Sequence, residues 1–196
     1  MSKRILCAVA LAGLLTGCGK IPTTRYYVID THLPVAPATR TLPLDVAVAR
    51  FRVSQMLAQD RVVYRKGQNE VNYYNYDRWS VTPADMLTDA LVRNLKDSGM
   101  FRTVATLQGG PKVDYLLRGY IEQLEEVDAA DGVTAKVALR LDAVDMKTNA
   151  VVWSGRGAAE RPVSDRSVTG VVRELNEGIQ SSMQEVLRGL GGHFQK

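Results

Sequence analysis

The chain has 196 residues, with 25 Lys and Arg against 21 Asp and Glu, a formal charge of +4, and 45% apolar and 23% charged residues. That describes one globular domain: too apolar for disorder, too short for a comfortable second domain and too weakly basic to point to nucleic acid. No apolar run is long enough to span a bilayer, and two cysteines with two histidines exclude most metal-site arithmetic.

Lys3 and Arg4 precede an apolar stretch, Ile5 to Leu15, which has the size of an export-signal core. The stretch leads into Leu15-Thr16-Gly17-Cys18. A leucine, two small residues and a cysteine in that register resemble a bacterial lipobox. The resemblance implies removal of residues 1–17, a diacylglycerol on the Cys18 sulfur and an N-acyl chain on its new amine. Cleavage would remove Lys3, Arg4 and Cys7, lowering the formal charge from +4 to +2 and leaving no free thiol. Each buried CH₂ contributes about 0.8 kcal/mol, so several acyl chains anchor stably where one would be marginal. Gly19 stands where an aspartate would favour retention in the inner membrane, so outer-membrane anchoring facing the periplasm is expected. Residues 18–24 form a tether spanning roughly 25 Å at most when extended. The domain itself is expected over 25–196.

Arg25 to Ile29 is rich in aromatic and β-branched residues and reads as a strand. A Pro-containing loop follows, then Pro43 to Phe51, where Leu44, Val46 and Val48 alternate as in a half-buried strand. Arg61 to Lys66 and Val71 to Tyr76 form a further pair around a turn at 66–70. Thr82 is placed to cap a helix, with Pro83 in its first position, Asp85 three residues after the cap and Gly99 at its end. Its inner stripe is Met86, Leu87, Ala90, Leu91, Asn94 and Leu95. Phe101 to Leu107 returns as a short strand.

Two long strands come next, Tyr115 to Val127 and Val133 to Met146, the second alternating with period two and one wet face. Asp131-Gly132 marks the turn between them. Lys147 to Ala150 turns into Val151 to Ala159, with Asn149 as its left-handed residue. From Val168 to Leu190 apolar residues recur at helical spacing, ended by Gly191-Gly192. Gly170 and Gly178 cost about 1 kcal/mol each within that helix and call for compensating packing. The fold class is α+β: a single domain, mainly antiparallel sheet with a long meander and two helices packed on it.

Chemistry-bearing patterns are scarce. His32 and His193 lack ligands at metal spacing, and Trp153 to Gly157 only superficially resembles a nucleophile elbow. Asp128 and Asp131 flank a turn, and Glu122, Glu125 and Glu126 read as a solvated strand end. No enzyme activity, cofactor or metal is expected. Tyr73, Tyr74, Tyr76 and Trp79, with Tyr26 and Tyr27 near the anchor, form the aromatic cluster. Tyr26, Tyr73, Tyr74 and Trp79 are the candidate partner or membrane interface, against an equally good reading in which such residues face the core.

The order of these features resembles the ABC-type transport auxiliary lipoprotein family. The match is carried by the lipobox, Tyr26-Tyr27-Val28-Ile29, the stretch Met56 to Arg65, Arg78-Trp79 before a helix bearing Leu87, Leu91 and Leu95, the segment Leu117 to Ile121, and the turn Asp145 to Asn149. Asn149 replaces an expected glycine, and a proline expected between Phe51 and Asp60 is missing. The resemblance implies a lipoprotein working with an ABC permease, its ATPase and an MCE-domain protein in phospholipid transport between membranes, supporting membrane integrity. It supplies no catalytic residue, and only Cys18 carries over. A homo-oligomer and a bound phospholipid stay open as partners. The alternative is a lipoprotein that activates or scaffolds another envelope complex, such as a cell-wall synthase.

Overall fold

The computed structural model describes residues 22–29, 33, 38–67, 69–107 and 112–195. Its elements run β1 (Arg25–Tyr27), β2 (Leu42–Val53), a 3-10 turn at Gln55–Leu57, β3 (Arg61–Lys66), β4 (Glu70–Trp79), α1 (Pro83–Ser98), β5 (Phe101–Thr106), β6 (Tyr115–Ala129), β7 (Gly132–Asp145), β8 (Val151–Pro162) and α2 (Val168–Phe194). The expected α+β class and the β6–β7–β8 meander are present, and the antiparallel ladders hold most of the paired residues. The sheet is nonetheless mixed. β1 runs parallel to β4, and β2 runs parallel to both β5 and β6.

The 15-residue strand β6 organises the sheet. One of its edges pairs along its whole length with β7. Its other edge takes β2 beside Tyr115–Ile121 and then β3 beside Glu126–Asp128. The ladders slip in two places, at Ile121/Gln123 against β7, just past the end of the β2 pairing, and at Ala49/Arg52 against β2 itself. Phe51 falls in the second slip, and its backbone N–H donates to Thr88 Oγ1 on α1 at 3.0 Å. Gly119 leaves room for the Phe51 ring, which a Cβ at that position would overlap.

Both helices lie on one face of the sheet. The inner stripe of α1 (Leu87, Leu91, Leu95) and that of α2 (Val171, Leu175, Ile179, Met183, Leu190) join Val46, Val48, Leu117, Leu139 and Leu141 in one core. Asn94, the polar member of the α1 stripe, is buried; its side chain donates to the Ala90 carbonyl at 2.8 Å and accepts the Leu33 N–H at 3.3 Å. The opposite face is not simply wet. Ala47, Leu116 and Val144 form a second buried cluster there. The alternation read in β7 holds on its core side, but Ala138 and Asp142 on the other side are buried as well. Arg140 accounts for part of this: it lies 3.7 Å from the centre of the Tyr120 ring and also bonds Asp142.

Local details confirm and correct the expectations. Gly99 (φ 61°) closes α1 and Asn149 (φ 57°) makes the β7–β8 turn, both in the left-handed region. Thr82 caps α1 differently from expectation. Its hydroxyl donates to Asp85 and accepts from Arg50 instead of accepting a helix N–H. Gly191-Gly192 does not end α2, which runs on to Phe194. The Phe194 ring packs edge-on against Phe101 and Tyr115, at 5.6 and 4.9 Å between centres, and this docking holds the glycine-containing turn helical. Gly178 meets Val137 of β7, the compensating contact its place in the helix calls for.

Gly157 of β8 lies against the backbone carbonyl of Ser182 on α2, with no room for a Cβ. Gly157→Ala is therefore expected to destabilise the domain by about 1–3 kcal/mol, the usual range for overpacking. Gly192 has open space around it. Gly192→Ala should be neutral or stabilising by up to about 1 kcal/mol. Urea unfolding midpoints of the two variants, compared with wild type, check this opposition.

Candidate docking surface

Cys18 lies outside the described residues; the surface nearest to it in sequence is β1. Three residues of strand are too few to hold themselves in place. β1 is fixed from several sides. Ser80 N–H donates to the Tyr27 carbonyl at 2.7 Å, Ile29 N–H points to Met86 Sδ at 3.3 Å, and Asn176 of α2 donates to the Val28 carbonyl at 3.3 Å. Asp77 of β4 is the centre of this attachment. Its carboxylate is buried, pairs with Arg25 at 2.8 Å and accepts the Tyr27 hydroxyl at 2.9 Å. The Tyr27 hydroxyl also lies 3.2 Å from Thr169 Oγ1. The hydrogen bond to Asp77, with its charge, pushes the Arg25 guanidinium up, and burial pushes the Tyr27 phenol up.

The candidate aromatics separate. Tyr26 is 65% exposed at the free edge, while Trp79 is 2% exposed and belongs to the core. Trp79 is thereby removed from the interface set: its register partner Tyr27 turns it to the side that α2 covers. Tyr73 and Tyr74 are half-buried and pack against the core cluster. β4 bulges between them and Trp79, since two steps along β3, from Val63 to Arg61, match five along β4, from Tyr73 to Arg78. The bulge exposes Tyr76 and buries Asp77. Val28 and Val81, which sequence reasoning passed over, are 60% and 52% exposed. Val28 was hidden because the sequence reads as strand through Ile29, whereas β1 ends at Tyr27.

Glu125 and Glu126 are not a solvated strand end. Both are buried, because β3 runs alongside them. Glu125 pairs with Arg65 at 2.9 Å, and Glu126 accepts the Tyr74 hydroxyl at 2.7 Å. Burial holds the Glu126 carboxyl above its ordinary range, against the opposing effect of the Tyr74 hydrogen bond and with help from the Asp128 charge. Burial likewise raises the Tyr74 phenol, as does its bond to Glu126. Glu122 fits the surface reading better, bridging Arg140 at 3.3 Å and Arg156 at 2.7 Å. Among the described residues no His, Cys, Asp and Glu cluster could hold a metal ion, and no helix is long and apolar enough to cross a membrane.

Among the described residues, the sheet is covered by helices on one side, and exposed apolar residues lie beside its N-terminal strand. The profile of the ABC-type transport auxiliary lipoprotein component family matches residues 27–186, and the chain belongs to that family. Protein XCC0632 from Xanthomonas campestris is 20% identical, with a TM-score of 0.77 over 88% of this chain and 98% of that one. A second solved structure, described as an uncharacterized protein, is 15% identical with a TM-score of 0.64, covering 86% of this chain and 99% of that one. At those identities the likeness shows the fold alone. Among curated proteins no sequence matches the chain significantly. The family is described as a transport-auxiliary lipoprotein component.

Two outcomes are expected of this surface. Asp77→Ala should release β1, costing about 2 kcal/mol, and should speed amide exchange at Ser80, whose N–H bonds Tyr27, while β7 amides keep their relative protection. Glu126 binds its proton more tightly folded than unfolded. Its contribution to stability is therefore full below the unfolded value and falls as pH rises through that value and the raised folded one. Glu126→Gln, which keeps an acceptor for Tyr74, should accordingly gain stability over wild type between about pH 4 and pH 8. Unfolding free energies measured at both ends of that range check the sign.

Proposed function

We propose that the protein is the outer-membrane-anchored, periplasm-facing lipoprotein subunit of an MCE/ABC-type phospholipid transport system, tethered through acylated Cys18 and docking on the MCE-domain component. The family match over residues 27–186 carries this reading. The lipobox ending at Cys18 supports the anchoring half of it, and Gly19 the choice of membrane. The docking half is supported by the free edges of β8 and β5, either of which offers unpaired backbone groups to a partner strand. β8 also exposes Val151 and Val152 at its start.

The anchor and the dock act in series. Acyl chains keep the domain within about 25 Å of the leaflet, so partner encounter becomes a search over a thin layer instead of the whole compartment. The lipidated protein, purified from gently solubilised membranes, should bring with it an MCE-domain protein together with its permease or ATPase. Recovery of a cell-wall synthase or another envelope machine instead would overturn the reading. Cys18→Ala should leave the fold unchanged by circular dichroism and abolish membrane-integrity function. Full complementation by that soluble form would sink the anchoring half.

A further inference from the structure

The exposed apolar residues of the first strand have no work inside the domain. Tyr26 and Val28 are 65% and 60% exposed, and Val81 is 52% exposed at the point where β4 leaves the sheet. Alternation about the Tyr27↔Trp79 pair puts Tyr26 and Val28 on one face of the N-terminal segment, and Val81 follows two residues past Trp79 at the same end of the β1–β4 pair, which forms one corner of the sheet. The corner belongs to an edge strand, because among the described residues β1 pairs only with β4. It is also rigid. The Asp77 hub, Asn176 and Met86 hold the backbone of residues 25–29 from inside, so the exposed side chains are presented on a fixed platform.

We propose that this corner seats directly on the phospholipid leaflet carrying acylated Cys18, with Tyr26, Val28 and Val81 at the level of the headgroups and the upper acyl chains. The inference rests on the assignment of Cys18 as the anchor. The length of chain between the two sites selects the occupant. Residues 18–24 span roughly 25 Å at most, and β1 is the element of the domain nearest to Cys18 along the chain. Five strand spacings of about 4.8 Å separate the β1 edge from the β8 edge. A domain seated on β1 therefore turns β8 away from the leaflet. The chemistry agrees. A tyrosine ring with a polar tip, beside two aliphatic side chains, suits the boundary between headgroups and hydrocarbon. Arg25 adds no free charge there, because Asp77 neutralises it.

The test uses the full lipoprotein. Cys7 leaves with the signal and the Cys18 sulfur is acylated, so one introduced cysteine is the sole reactive thiol. Val28→Cys, and in a second protein Thr148→Cys in the β7–β8 turn, are labelled with an environment-sensitive fluorophore. Each is then reconstituted into phosphatidylethanolamine–phosphatidylglycerol vesicles. The Val28 probe should shift to the blue and be quenched at least twofold by brominated acyl chains, and the Thr148 probe should do neither. Adding Tyr26→Ser and Val81→Ser should restore most of the lost emission. If the protein floats with the vesicles while the Val28 probe stays in water, the seat is wrong although the anchor stands. A Val28 probe that is shielded only when transport-system proteins are added also overturns it, in favour of a protein seat. A protein that takes up two labels and does not float removes the Cys18 assignment, and this inference with it.

Discussion

The length of β6 is the constraint on which the rest depends. A strand of 15 residues has more edge than any one short neighbour can satisfy, and a buried backbone group without a partner costs as much as a lost hydrogen bond. Its β7 edge is served by a hairpin partner of nearly equal length. The opposite edge must be shared between β2 and β3, and the ladders slip close to the handover, at Arg118–Tyr120 against β2 and at Ile121–Gln123 against β7. Thr88 from α1 takes up the Phe51 N–H left over by the slip, and Gly119 gives the Phe51 ring its place. The position of α1 is thus tied to a defect in the sheet it covers.

Features whose cause is local were legible in the sequence. The left-handed Asn149, the Gly99 terminus of α1, the turn at 66–70 and the apolar stripes of both helices each rest on a few neighbouring residues. The parallel pairings were not legible, because β2 and β6 approach each other across some seventy residues with no turn to announce it. The β4 bulge was hidden for a related reason. Period-two reading from Val71 carries no signal for the extra residues that put Asp77 inside and Tyr76 outside. The candidate surface was legible in half. Tyr26 stood out as an aromatic beside the anchor, whereas Val28 and Val81 look like ordinary strand residues until their exposure is known.

Charge follows the same division between the two faces. On the helix-covered face the buried charged and amide side chains of the sheet and α1 have specific partners, Asn94 with the Leu33 and Ala90 backbone, Glu126 with Tyr74, and Asp77 with Arg25 and Tyr27, whereas the buried Ser182 hydroxyl of α2 has none among the described residues. On the other face Glu122, Arg140, Asp142, Ser154 and Arg156 form one connected network across β6, β7 and β8. Its more exposed pairs, Glu122 with Arg140 and with Arg156, add little stability singly. Their effect is to keep the broad uncovered side of the meander polar, which leaves apolar exposure concentrated at the strand edges.

That concentration matches the two ends that the proposed anchoring and docking would use. A tether attached to a three-residue strand would peel it away if only the β1–β4 ladder resisted, for a single short pairing is marginal in water. Asp77 changes the mechanics. It ties β1 to β4 while Thr169, Asn176 and Met86 tie it to both helices, so any pull on the N-terminal segment is spread over the whole core instead of one ladder. From β4 the load passes through β3 into β6, the strand that also carries β7 and β8. The proposed anchor at one end and the β8 edge at the other are therefore joined by continuous hydrogen-bonded sheet. A domain that holds a partner at a fixed height above a leaflet requires that rigidity, and a hinge placed between its anchor and its dock would forfeit it.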